Sequence, residues 1–365
     1  MKILFVICGE GLGHASRSSK LARHLKEFGH ECYLASYDKA YDFINKQDGF
    51  EALETFREVE LNGDNGYFSL SKTLWSSKSV PLDLARSLRH VRSLITDYSI
   101  DLVISDTMYA AVSAARLEKV PSLFITNQNR FATASDNNST YWSVLGKVIE
   151  KYLEIPDSVI VPDFAPPHTI SGYNLEIDDE DGERYKFVGP LMDIELSDYS
   201  SSNGTIFASF GGEPFKIPMY GILKEIAEER PFQTFEVFST SDGLPEASDN
   251  FRTFGYVPDI YEYLSKARVA IVHGGLTTLH EALLFRKPCV MIIDPYHPEQ
   301  WNNARKIEEI GAGIIIEGDK LTKERLNDAI DRALAMTAPN YSSLFAEQDG
   351  KHNIHSVIQS MVKKS

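Results

Sequence analysis

Cysteine is scarce in this chain: Cys8, Cys32 and Cys289 are its three, each sits in an apolar run, and none forms a CxxC pair. Disulfide frameworks and zinc ribbons need paired, closely spaced thiols, so neither is supported, and buried thiols in a reducing compartment are expected. No apolar run approaches the length that crosses a bilayer. The chain opens directly on the strand-like MKILFVI, without a basic leader ahead of a long apolar stretch, and a cytoplasmic protein is expected. Positive charge is also in deficit. Lys and Arg number 37 against 52 Asp and Glu, a formal net charge of −15, which argues against general nucleic-acid binding. The deficit is uneven: up to Phe164 there are 18 basic and 21 acidic residues, and beyond it 19 and 31. The front half can therefore approach an anionic surface that the back half would repel. Internal repeats and low-complexity tracts are lacking as well.

What the sequence does hold is alternation. Its 365 residues, 43% of them hydrophobic, are enough for two domains with a core each. Strand-like runs alternate with helical patterns in both halves, as in parallel sheets covered on both faces. The most informative stretch is 268–304, RVAIVHGGLTTLHEALLFRKPCVMIIDPYHPEQWNNA. Residues 268–272 are an apolar run of strand length, His273-Gly274-Gly275 breaks it, and 276–285 resume at helical spacing. Such a turn presents unpaired N–H groups and the positive end of a helix dipole, with no Cβ atoms to keep a phosphate away. Thr277 and Thr278 open the helix, and Glu281 falls one turn beyond on the same face, where a carboxylate can accept two hydrogen bonds from a ribose diol. A second loop, after 288–293, leads into His297-Pro298-Glu299-Gln300 and a helix bearing Asn303, amide and carboxylate groups suited to sugar hydroxyls. Taken singly, Thr277 is better read as a helix cap and Gln300 as a solvated side chain. Their order within one short stretch is what points to a site.

HGGLTTLHE followed by HPEQWNNA resembles the donor-nucleotide site of inverting glycosyltransferases of the GT-B fold. The resemblance is to the UDP-glycosyltransferase superfamily and to the bacterial N-acetylglucosaminyltransferase that makes lipid II. It implies that Gly274, Gly275 and Thr277 hold a diphosphate, Glu281 a ribose and Gln300 the donor sugar, with His273, Glu299 and Asn303 in the same donor-binding set. Retaining GT-B enzymes tend to carry two glutamates eight positions apart. Here His273 stands eight before Glu281, which favours inversion.

The front half begins on the same local plan. Residues 2–8 read as a strand, Gly9-Glu10-Gly11-Leu12-Gly13-His14 as a glycine-rich turn, and a helical pattern runs to Phe28. As a GxGxxG dinucleotide fingerprint the turn fails, because His14 or Ser16 stands where the last glycine is required, and a dehydrogenase is not supported. From the residues alone, His14 is either an ordinary helix-start residue or an imidazole placed to deprotonate a hydroxyl. The resemblance implies the second, since family members carry a His in or beside this loop as general base; Gly13 joins the donor-binding set. Asp106, ending the strand-like 101–105, either caps the following helix or points into a cleft at the strand's carboxyl end. In the UDP-glycosyltransferase superfamily the matching Asp orients the base and stabilises its imidazolium. Residues 62–80 read as a long loop, and across it and the next helix Lys72, Lys78, Arg86, Arg89 and Arg92 face the single acid Asp83. That segment is either a solvated helix face or a contact for lipid headgroups or an anionic acceptor.

Asp179 and Asp181 form a DxD, the pair with which metal-dependent transferases of the other large fold hold a cation. There the pair follows a buried strand; here its surroundings are polar and turn-like, and no metal is expected. Residues 187–203 read as a hinge. Beyond it a strand at 205–210 ends in Gly211-Gly212, a second glycine turn that by resemblance approaches the donor phosphates, while Val257 would offer its backbone to the nucleobase. The expectation is an α/β protein of two Rossmann-like parallel-sheet domains facing across a cleft. An acceptor-binding domain would occupy 1–165, a linker and hinge 166–203 and a donor-binding domain 204–340, with a helix in 341–365 crossing back to the first domain. The implied activity is inverting, metal-independent transfer of a hexose or N-acetylhexosamine from a UDP-sugar, a co-substrate rather than a cofactor, to a hydroxyl acceptor, lipid-linked or not. A UDP-sugar 2-epimerase and a non-catalytic sugar-nucleotide binder are the alternatives.

Overall fold

A computed structural model describes residues 1–58, 63–64, 67–68, 80–131, 139–179, 181–193, 199, 204–211, 213–257, 259–295 and 297–362. The first domain runs β1 (Lys2–Ile7), α1 (Gly13–Glu27), β2 (Glu31–Ser36), α2 (Asp38–Asn45) and β3 (Ala52–Glu54). A two-stranded hairpin of β4 (Gly63–Asp64) and β5 (Tyr67–Phe68) follows, then α3 (Val80–Asp97), β6 (Leu102–Asp106), α4 (Tyr109–Glu118), β7 (Ser122–Ile125), α5 (Ser139–Leu153), β8 (Ser158–Val161) and β9 (Tyr185–Phe187). The second runs β10 (Thr205–Ser209), α6 (Ile217–Glu229), β11 (Phe235–Phe238), β12 (Phe251–Phe254), α7 (Tyr261–Lys266), β13 (Ala267–Val272), α8 (Leu276–Leu284), β14 (Cys289–Ile293), α9 (Pro298–Glu309), β15 (Gly313–Glu317) and α10 (Lys323–Ala335). Helices α11 (Ser342–Glu347) and α12 (Gly350–Val362) follow.

Both sheets are parallel, ordered β3-β2-β1-β6-β7-β8-β9 and β12-β11-β10-β13-β14-β15. Their central strands are apolar at nearly every position because helices cover both faces. In β1, Ile3, Phe5 and Ile7 pack on one side with α1, and Leu4 and Val6 on the other with α3 and α4, all fully buried. In β10, Phe207 faces one core and Ile206 and Ala208 the other. Strand order reverses between β1 and β6, and again between β10 and β13. At such a switch point neighbouring loops diverge and leave a crevice at the carboxyl ends of the strands.

Tyr185–Phe187 lies inside the 166–203 segment read as linker, yet pairs with β8 as the seventh strand of the first sheet. The crossing begins only after it, and the chain later returns beside its own outgoing path. Gly350 N–H donates to Pro190 O at 3.3 Å, and Asn353 Nδ2 donates to Val188 O at 2.7 Å. Gly189, at φ +92°, has no room for a side chain: a Cβ would lie 2.0 Å from Gln348 O. Ile354 and Ile358 of α12 are then buried in the first domain's core. Most of the 62–80 loop, with Lys72 and Lys78, lies outside the described residues, as do 194–198 and 200–203.

Candidate active site

The first wall of the cleft is built at the β1–β6 switch point. β1 runs into a turn in which a Cβ on Gly9 would strike the Tyr37 ring at 2.5 Å, so the chain passes there only as glycine. α1 then starts at Gly13, presenting His14 to Asp106, the last residue of β6. His14 Nδ1 lies 2.8 Å from Asp106 Oδ1. The carboxylate is fully buried and gripped from α1: Arg17 donates through Nε to Oδ2 at 2.8 Å and through Nη2 to Oδ1 at 2.5 Å, and Ser18 Oγ donates to Oδ2 at 2.8 Å. Burial alone would raise the Asp106 pKa, but Arg17 and then His14 outweigh it and hold the carboxyl well below the usual range. Asp106 does not cap α4. That cap is Glu58, whose carboxylate accepts from Tyr109 N at 2.7 Å, Ala110 N at 3.2 Å and Ser87 Oγ at 3.0 Å. Burial pushes the Glu58 carboxyl up to about 7.

The second wall repeats the plan at the β10–β13 switch point. Gly211, at φ +80°, ends the first strand's path, and His273-Gly274-Gly275 joins β13 to α8, whose N-cap is Gly275 with no side-chain cap. Thr277 therefore does not cap the helix, and its hydroxyl stays in the cleft. Gly274, at φ +83°, sits against α9: a Cβ there would lie 3.0 Å from Gln300 O. Beneath these turns lies a second carboxylate–cation pair. Lys216 Nζ bonds Asp294 Oδ1, both side chains being 3% exposed. Gln300 braces the same carboxylate, donating from Nε2 to Oδ2 at 3.0 Å while its Oε1 accepts from Asp294 N at 2.8 Å. Burial lowers the Lys216 pKa against the pull of Asp294. Burial, then Lys216, pushes His273 down to about 4, and burial also lowers His297. Both imidazoles are thus neutral near pH 7. Burial raises Glu281, with Lys20 of α1 opposing.

Between the walls is a cleft of about 960 Å³, large enough for a nucleotide sugar. Gly13, His14, Gly211, Val257, His273, Gly275, Thr277, Glu281, Glu299 and Gln300 all line it, drawn together from both domains. Glu299 already crosses it, its Oε1 accepting from Asn127 Nδ2 at 2.9 Å. Two residues of the donor-binding set do not reach it. Asn303 is fully buried, donating to Gly274 O at 3.2 Å and accepting from Asn174 Nδ2 at 2.8 Å, so it braces the glycine turn from behind, and Gly274 is buried with it. Gln300 lines the cleft, but Asp294 occupies both ends of its amide. Gly212 lies outside the described residues. Among the described residues no group of three or more His, Cys, Asp or Glu is disposed to hold a metal ion.

Arg17, Ser18, Lys20, Lys216 and Asp294 escaped the reading of the sequence. Two signals were there. Arg17 and Lys20 follow His14 at intervals of three along one helix, which puts them on its cleft side. Asp294 directly follows a buried parallel strand, as Asp106 ends one.

A family model described as glycosyl transferase family 1 matches residues 1–150, and one described as glycosyltransferase family 28 C-terminal domain matches 225–358. An uncharacterized glycosyltransferase of Methanosarcina mazei is 31% identical over 329 residues, covering 87% of this chain and 86% of that protein. Another, of Methanosarcina acetivorans, is 28% identical over 383 residues, covering 100% and 99%. An uncharacterized UDP-glucosyltransferase of Bacillus subtilis, YojK, is 25% identical over 66% of this chain and 59% of its own length. Among solved structures, the glycotransferase of kitacinnamycin superposes with a TM-score of 0.68 at 17% identity, covering 100% of this chain and 98% of that one. MurG of Acinetobacter baumannii does so with 0.58 at 14%, covering 100% and 99%. With one relative above 30% identity along most of its length, glycosyltransferase models on both of its halves, and two parallel-sheet domains that superpose on these structures, the chain belongs to the glycosyltransferases of the GT-B fold.

Proposed function

We propose that this glycosyltransferase is an inverting, metal-independent enzyme that moves a hexose or N-acetylhexosamine from a UDP-sugar to a hydroxyl acceptor. The observation that carries the reading is the His14–Asp106 pair, which faces a helix N-terminus across the cleft. With Nδ1 engaged by Asp106, Nε2 is the ring nitrogen left to take the proton of the acceptor hydroxyl. The freed oxygen attacks the anomeric carbon from the side opposite the diphosphate. As that bond forms, the bond from the anomeric carbon to the diphosphate oxygen breaks, and the configuration inverts. Asp106 stabilises the imidazolium that results. The leaving diphosphate gathers negative charge where Gly211, the start of α8 and the Lys216 ammonium supply donors already in position. Glu281 receives the ribose hydroxyls. The YojK likeness favours uridine in the donor.

The acceptor meets the first domain. There Leu82 and Phe56 stand exposed with Arg86 one turn along α3 from Leu82, chemistry suited to an acceptor linked to lipid and to peripheral contact with anionic headgroups. Among the described residues no helix is long and apolar enough to cross a membrane. The test of the core reading is His14→Ala with a panel of UDP-sugars and acceptors. UDP affinity should stay as in the wild type, while turnover falls by about two to four orders of magnitude. Unchanged turnover would remove His14 from the chemistry, and UDP binding away from α8 would overturn the donor assignment.

A further inference from the structure

Helix α1 does more than carry the base, because it crosses the cleft and packs on the donor-side helix α8. At its first turn, a Cβ on Gly13 would lie 3.5 Å from Thr277 Oγ1. Two turns on, Lys20 reaches into the ribose pocket. Its Nζ donates to Tyr261 OH at 3.0 Å, sits 4.8 Å from the centre of the Tyr261 ring, and lies 4.0 Å from Glu281 Oε1. The Lys20 side chain is 16% exposed and that of Glu281 10%, so solvent screens the pair weakly. His14, Arg17 and Lys20, three residues apart, share one face of the helix. The helix that holds the base therefore also holds a cation against the carboxylate of the opposite domain.

We propose that Lys20 is a positioning residue that couples the two halves of the reaction: its ammonium steadies the ribose-binding carboxylate of Glu281 and ties an occupied ribose pocket to the helix that carries His14. The inference rests on the reading of Glu281 as the ribose site. A carboxylate accepts from both hydroxyls of a diol only while ionised. The groups that face Glu281 are the Lys20 ammonium, the His280 imidazole beside it on α8, and the Tyr261 hydroxyl of α7. Burial favours the protonated form of Glu281, and Lys20 is the foremost group opposing it. Without Lys20 the carboxyl would hold its proton to higher pH, and helix α1 would lose its charged contact with the donor pocket.

The experiment is calorimetric titration of full-length protein with UDP and with 2′-deoxyuridine diphosphate across the acid-to-neutral range, on wild type, K20M, K20R and E281Q. K20M should bind UDP about ten- to a hundredfold more weakly, the worth of a hydrogen bond to a charged group. Its affinity should begin to fall, as pH drops, at a higher pH than in the wild type. K20R should restore most of the affinity and the original pH dependence, which a merely structural role would not do. Donor KM should rise in K20M while acceptor KM stays put. E281Q should weaken UDP and lose the discrimination against the deoxy compound. Wild-type UDP affinity and pH dependence in K20M would overturn the proposal while leaving the donor site standing. An E281Q protein that still prefers UDP to its deoxy form would instead overturn the ribose assignment on which the proposal rests.

Discussion

Replacing Arg17 with methionine removes the guanidinium that grips Asp106 at both oxygens, and the structure sets what that should cost. Two charge-assisted hydrogen bonds, at 2.8 and 2.5 Å, hold a carboxylate with no exposure to water. Taking away one partner of such a buried pair costs about 3–5 kcal/mol, chiefly because the remaining charge is left uncompensated. Against a total stability of roughly 5–15 kcal/mol this is severe but survivable. The pH dependence follows from the direction of the shift. In the wild type the Asp106 pKa is depressed below its ordinary 3.8, so its contribution is present above that value and is lost as pH falls through the folded-state pKa. In Arg17→Met the main opposing charge is gone, burial dominates, and the pKa rises instead. The stability gap between the two proteins should then be widest near neutrality and narrow on acidification. Urea unfolding followed by circular dichroism at several pH values measures it, with Arg17→Lys as the companion that keeps the charge but loses the planar fork. Turnover should fall with stability, since Arg17 also holds the carboxylate that His14 Nδ1 contacts in place. A gap at pH 7 below about 1 kcal/mol, or one that widens in acid, would refute the electrostatic account of this wall.

Lys216→Met should destabilise by a similar 3–5 kcal/mol or so, because Asp294 is left buried without its cation; adding Asp294→Leu should recover stability in urea unfolding but not turnover. Glu58 carries a folded-state pKa of about 7 against an ordinary 4.5, so wild-type stability should drop relative to Glu58→Gln by roughly 3 kcal/mol as pH rises through that window, as parallel denaturation curves would reveal. His24 and His30, whose pKa values burial lowers, meet His352 and His355 of α12 ring to ring, at 4.5 and 5.5 Å between centroids. Their contribution is present above the ordinary 6.5 and is lost as pH falls through the depressed values, so amide protection in α12, measured against the intrinsic exchange rate at each pH, should fall on acidification, and less so in a His24→Gln, His30→Gln protein.

Local pattern was enough to locate both glycine turns, because a strand and a helix each announce themselves over a few residues and the turn is what separates them. Gly211, His273-Gly274-Gly275 and the β6 strand ending in Asp106 were legible for that reason. Arg17 and Lys216 were not. A basic residue on an amphipathic helix, or just ahead of one, reads as solvated, and what buries each is a carboxylate 89 or 78 positions away. Asn303 and Gln300 have partners that the sequence does not show. Polar side chains opening a helix beside a phosphate-like turn suggest a ligand, whereas the amide groups of both are bonded within the protein, to Asn174 and Gly274 in one case and to Asp294 in the other. Tyr185–Phe187 was hidden by its brevity: three residues after a run of acids show no alternation, and only pairing with β8 makes them a strand.

The side-by-side crossing near Gly189 and Gly350 has a mechanical consequence. Two covalent tethers in contact hold the lobes together more closely than one flexible leash would. The two crossings meet at the narrow backbone contact of Gly189 with Gln348. A methyl group there would force the two crossings apart, far from any atom that reacts.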